Sequence, residues 1–374
     1  MEKEMHKDAV RMDGGAGMKS QRPEREERLR IGITPGEGLD FDYEVLARLF
    51  ADTSAFETAL PFVYGSARKL VDAARRVGLN EASPIVQRSI LDVKGKRLQM
   101  VEPERSGDAS QRDIYAILQE VVSDLKGGHL RALVSLPLVE SNVRQAHPEF
   151  KNQAVAVASA FPGNPFRMLL CGNLRLSFLT TVRREDSETY LSNQRIEQRI
   201  RDLYQTLQMD FSISTPRIAV LGMNKDLQSD RITLPGTQRI MPVVNNLFEN
   251  GIPVFGPFPA RAFFASQDIK AFDAVLCMYK EQMEMCIENR PREDMCYFTA
   301  SLPVIHLEPM LIGNDLDVSF RALFRAVCLA MDMDAARQQN RLLAENPLGY
   351  SVMRPGRRDS KEEDSSEKEP GDIQ

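Results

Sequence analysis

The chain has 374 residues, 43% hydrophobic and 27% charged, with no Trp and a formal net charge of -5. That length supports two lobes or one large α/β unit, and the acidic balance offers no basic footprint for nucleic acid. No apolar run approaches the ~20 residues of a membrane span. The opening residues, MEKEMHKDAVRMDGG, lack the apolar core of a signal peptide, so the cytoplasm is the expected compartment.

Residues 1–29 are charged, with few apolar positions, and are expected to form a disordered leader. The first strand is expected at 29–33, followed by the turn TPGEG (34–38) and a helix at 43–51, where Val45, Leu46, Leu49 and Phe50 recur at helical spacing. Strand, Gly-rich turn and helix form the layout of a phosphate-binding start. The dinucleotide fingerprint is absent, however, because Phe41 stands where its third Gly should be. A structural turn and a phosphate cradle both remain open at this point. A second strand is expected at 62–64 and a helix at 67–77 that Gly78 would cap.

Residues 85–99 read as strand-rich, and 111–126 as a helix ended by Gly127 and Gly128. Further strands are expected at 132–136, 168–171, 174–180, 217–221 and 253–255, with helices at 153–160, 193–208 and 237–249. The last two strands, 273–278 and 303–307, flank a polar segment rich in Lys, Glu and Arg, and 319–343 closes the fold as one long helix or two. The alternation implies a mostly parallel sheet with helices on both faces. Ligands of such sheets bind beyond the carboxyl ends of the strands, which directs attention to 279–282 and 306–313. The five Cys (171, 277, 286, 296 and 328) form no CxxC pair and read as reduced core thiols. Residues 354–374, RPGRRDSKEEDSSEKEPGDIQ, read as a solvated tail.

Several segments, in order, resemble the 4-hydroxythreonine-4-phosphate dehydrogenase family of the pyridoxal phosphate pathway. They include ITPGEG (31–38), PFVYGSARK (61–69), SLPLVE (135–140) and RIAVLGMN (217–224). YEVLARLFAD (43–52), LTT (179–181), GPFPARAFF (256–264), AVLCMYKEQ (274–282) and YFTASLPVI (297–305) complete the set. The resemblance spans roughly residues 30–345. It implies a two-lobed α/β/α fold similar to the isocitrate and isopropylmalate dehydrogenases, with a cleft between the lobes and 30–353 as one unit. It also implies a homodimer, NAD as cofactor, and a divalent metal held by three His that polarises the hydroxyl being oxidised.

Laid over this sequence, the resemblance puts the metal positions at Val182, Asn224 and Lys280. Val has no lone pair, Asn is a weak ligand and Lys brings a positive charge, so no bound metal is expected. The substrate positions fall at Lys151, Asn152, Glu288, Tyr297 and His306, where an anion and an imidazole replace two cations. An Asp of the family becomes Arg261, whereas Pro137, Thr180, Thr181, Gln282, Thr299 and Pro303 match. Of the four His (6, 129, 147 and 306), His306 alone is expected to reach the cleft.

Four readings follow. One is a pseudoenzyme that binds a small anionic metabolite, with Lys151, Arg261 and Lys280 as cleft cations, or with those cations merely in surface salt bridges. Another is an NAD-dependent oxidoreductase with metal-free chemistry, Lys280 neutralising the developing oxyanion. A third is an active metal-dependent dehydrogenase, and a fourth a dimer partner for an active paralogue.

Overall fold

The computed structural model describes residues 28–51, 59–79, 83–85, 90–93, 96–101, 114–181, 191–223, 234–288, 290–311, 313 and 315–345. The expected leader and tail lie outside these residues, apart from the last two leader positions.

A single 13-stranded sheet runs through the molecule. Its first half is built on β1 (Leu29–Thr34), β2 (Ala59–Tyr64) and β6 (Ala132–Ser135), with β3 (Ser83–Ile85), β4 (Ile90–Val93) and β5 (Lys96–Val101) at one edge. The second half holds β8 (Leu174–Thr180), β9 (Ile218–Leu221), β10 (Val254–Phe258) and β11 (Ala274–Tyr279). Between them lie β7 (Phe166–Cys171), β12 (Met295–Ala300) and β13 (Ile305–Pro309). The expectation of a mostly parallel sheet needs correction at the junction. β1 pairs parallel with β2 and β6, and β11 with β8 and β9, but β12 pairs antiparallel with both β7 and β13. An antiparallel strand lets the chain pass between two parallel halves with a short return, whereas a parallel crossover needs a dozen or more residues.

Burial explains both the layers and the gap in them. β1, β6, β9 and β11 are buried at every or nearly every position, as strands covered on both faces must be. On one face, a continuous core unites both halves under α1 (Asp40–Ala51), α2 (Ala67–Arg76), α6 (Asn193–Phe211), α7 (Leu234–Glu249) and α10 (Leu316–Glu345). On the other face the cover is split. α3 (Ile114–Lys126) and α5 (Gln153–Ala158) pack over the first half, around Leu133, Phe150 and Val157. α8 (Ala260–Ala265) and α9 (Lys280–Ile287) pack over the second, around Leu169, Ala219 and Phe263. The short α4 (Glu140–Ala146) buries none of its residues. The gap between the two partial layers, over β7, β12 and β13, is the cleft.

The turn after β1 is a packing device. A Cβ on the buried Gly36 would meet the Pro137 carbonyl oxygen at 1.9 Å, so the loops after β1 and β6 touch where only Gly fits. The carboxylate of Glu37 then accepts hydrogen bonds from the Val139 amide and from Asn142 Nδ2 (2.9 Å), and Lys69 Nζ donates to the Gly38 carbonyl at 2.7 Å. These bonds close the turn onto the neighbouring elements and give it the structural role that the sequence left open.

Candidate active site

The cleft encloses a cavity of about 950 Å³, at the large end for a small-molecule site. Its floor follows strand periodicity. Cys296 and Phe298 of β12 point into the shared core, so the alternate residues Tyr297 and Thr299 face the cavity. Tyr297 stands opposite Glu308 of β13, and Thr299 opposite Arg167 of β7. Arg167 and Glu308 therefore meet across β12 as a two-pronged pair, Nη1 to Oε1 at 2.7 Å and Nη2 to Oε2 at 2.9 Å. The guanidinium also lies over the Tyr297 ring, 4.6 Å from its centre. Burial alone would raise the Glu308 carboxyl pKa, but the charge and hydrogen bonds of Arg167 outweigh it and hold it below the usual carboxylate value.

His306 lies on the same side of β13 as Glu308 but is fully covered. Its Nε2 is 3.2 Å from Ser135 Oγ and its Nδ1 3.2 Å from Thr299 Oγ1, with Glu308 Oε1 3.5 Å away. The expectation that it reaches the cleft is thus corrected: the ring is sealed beneath the floor, because it falls within β13 and not beyond its end. Burial pushes its pKa down to about 4, against an opposing pull from Glu308. The unfolded chain takes up this proton near pH 6.5, whereas the folded chain resists it until about 4. Stability from this group is therefore complete above pH 6.5 and is lost as pH falls toward 4. Urea titrations should show a loss of about 2 kcal/mol by pH 5 relative to pH 7.5, a slope absent from H306Q. Equal slopes in the two proteins would contradict the burial of a neutral ring.

Lys280 opens α9 at the rim of the cavity. Gln282, wholly buried, fixes this corner. Its Oε1 accepts from the amides of Met278 (2.8 Å) and Tyr279 (3.3 Å), and its Nε2 donates to the Gly222 carbonyl (2.8 Å). The Lys280 ammonium pairs with Glu284 at 3.0 Å. That hydrogen bond, more than the opposing burial, raises its pKa and keeps it charged. On the opposite wall Asn152 caps α5, its Oδ1 accepting from the Val155 amide at 2.8 Å.

Of the positions singled out in the sequence, the fold brings Asn152, Lys280 and Tyr297 to one cavity. Lys151 is exposed and does not line it; its carbonyl takes a hydrogen bond from Arg144. Arg261 is exposed on α8, which buries Ala260 and Phe263 instead, and it too stands away from the cavity. Of the three expected cleft cations, Lys280 alone is thus among the described residues that line this cavity. Glu288 borders a separate cavity of about 440 Å³ with Arg290 and Arg292. Val182 and Asn224 lie outside the described residues. Arg167 and Glu308 went unrecognised in the sequence. The available signal was a charge of each sign inside two largely apolar strands.

A two-lobed α/β chain with its cavity at the seam of the sheet belongs to the broad class of cleft-binding α/β folds. Residues 55–310 match the family model described as pyridoxal phosphate biosynthetic protein PdxA, and the chain belongs to that family. It is 26% identical over 348 residues to the 4-hydroxythreonine-4-phosphate dehydrogenase of Bacteroides thetaiotaomicron, covering 86% of this chain and 93% of that one. Crystal structures of 4-hydroxythreonine-4-phosphate dehydrogenases from Burkholderia phymatum and Klebsiella pneumoniae superpose with TM-scores of 0.61 and 0.59. They share 21% and 20% identity, over 82% of this chain and 98% and 99% of theirs. The resemblance read from the sequence is thereby shown, and with it the fold class. Among the described residues no helix is long and apolar enough to cross a membrane.

Proposed function

We propose that this chain is a divergent member of its family that binds a small anionic metabolite in the cleft and no longer carries out metal-dependent NAD oxidation and decarboxylation. The observation that carries this reading is Lys280, whose ammonium lines the cavity at a position the resemblance assigns to a metal ligand. A fixed positive charge there repels a divalent cation and attracts an anion. The donor set thus does not fit the metal. Residues 30–353 act in this reading as one two-lobed unit in a cytoplasmic homodimer.

The alternative is an NAD-dependent oxidoreductase acting on a phosphorylated hydroxy acid without metal. It draws on the same group, since an ammonium held charged in a cleft stabilises a developing alkoxide. Incubating the protein with NAD and 4-phosphohydroxythreonine, with added Zn or Mg and separately with chelator, distinguishes the readings. No NADH in either arm is expected. Metal-dependent NADH formation overturns the proposal, and formation that survives chelator establishes the alternative.

A further inference from the structure

The chemistry of the cavity wall specifies more than an anion. The only charged side chains lining it among the described residues are Glu140, Arg167, Lys280 and Glu308. Arg167 and Glu308 neutralise each other through two hydrogen bonds. Glu140 is held by Arg144 at 3.2 Å, and Lys280 shares its charge with Glu284. Among the described residues one ammonium is thus left to meet a ligand, with no second unpaired cation beside it to balance a doubly charged phosphate. Neutral polar side chains such as Asn152, Thr181 and Thr299 share the rest of the wall with a larger apolar part, to which Leu138, Phe161, Phe166, Phe178, Met310 and Leu311 contribute. The apolar part gains by burying carbon, and a doubly charged phosphate gives up more hydration than a single carboxylate to enter.

We infer that the cavity selects a monocarboxylate with a compact apolar body, an aryl or alicyclic acid, over a phosphorylated hydroxy acid. This rests on the proposed reading of the cleft as an anion site and names its ligand class. The carboxylate meets Lys280 at the rim, and the ring lies between the Phe-bearing walls above Tyr297.

The test is calorimetry on the full chain with benzoate, cyclohexanecarboxylate, acetate, O-phosphothreonine and inorganic phosphate. Benzoate and cyclohexanecarboxylate should bind at least about tenfold tighter than acetate, the order that a few buried carbons supply, and tighter than O-phosphothreonine. K280Q should weaken benzoate by roughly tenfold while its thermal unfolding stays close to the parent's. Tighter binding of O-phosphothreonine overturns the inference but leaves an anion-binding cleft standing. Acetate equal to benzoate, benzoate unaffected by K280Q, or no binding of the ring acids also overturns it. The proposed reading fails separately, through metal-dependent NADH formation.

Discussion

Replacing Arg167 with Met should lower the unfolding free energy by about 3–5 kcal/mol, one of the two largest effects expected of a single substitution in this chain. The guanidinium is the counter-charge that lets the Glu308 carboxylate lie inside the sheet, with side-chain exposures of only 26% and 16%. Removing one partner strands the other, and a buried uncompensated charge costs far more than the pair itself contributes. The sign follows from the neighbours. Glu308 is left with His306, a neutral ring, and with the Tyr297 face that the guanidinium covered. The double substitution R167M/E308L removes both charges and should lose less than half as much, because two apolar groups leave no carboxylate to desolvate. Urea denaturation of the three proteins measures this directly. A loss below about 0.5 kcal/mol in R167M, typical of a surface change, would show that solvent reaches Glu308.

Gly36→Ala should cost about 3 kcal/mol or more. The added Cβ would lie 1.9 Å from the Pro137 carbonyl oxygen, 2.9 Å from its carbon and 3.3 Å from the Leu136 carbonyl carbon, all of them backbone atoms. No side chain can rotate to make room, so the turn after β1 must separate from the loop after β6. That loop leads into the cavity wall at Pro137 and Leu138, so the substitution should also loosen the ligand site. Gly78→Ala is the control. Gly78 has φ +82 and nothing within 4 Å of its added Cβ, so only the left-handed backbone opposes Ala there, at about 1 kcal/mol. Equal losses in the two variants would mean that the loops are not in contact.

The repeating elements were legible because their apolar spacing is decided locally. The helix expected at 193–208 is observed as Asn193–Phe211, with Ile196, Ile200, Leu203 and Leu207 buried along one face. The closing helical segment is a single helix, Leu316–Glu345. α4 was missed because it buries nothing and so carries no apolar period. β12 was missed for a different reason. Its six residues follow a charged stretch, and their alternation serves a core on one side and a cavity floor on the other, a partition fixed only by β7 and β13.

The site was legible in part. Lys280, Asn152 and Tyr297 come from three separate elements yet line one cavity. Lys151 and Arg261 do not, because each neighbours a residue that does face inward. Asn152 turns to the cavity beside the exposed Lys151, and Ala260 to the core beside the exposed Arg261. Helical phase separates Ala260 from Arg261 by about 100°, and the extended backbone at the Asn152 cap turns neighbouring side chains to opposite sides, so sequence position alone does not fix which of two neighbours turns inward. His306 shows the same limit in a strand, where facing the cleft and being accessible from it proved to be different things.

The most direct test of the account is calorimetry of the purified chain with Zn, Mg and Mn, each with and without NAD. The proposal that the Lys280 ammonium stands in the place of a metal ligand predicts no metal binding at micromolar concentrations under either condition. Micromolar binding of any of the three ions, abolished by substitution of residues lining the cleft, would contradict it and restore the metal-dependent dehydrogenase.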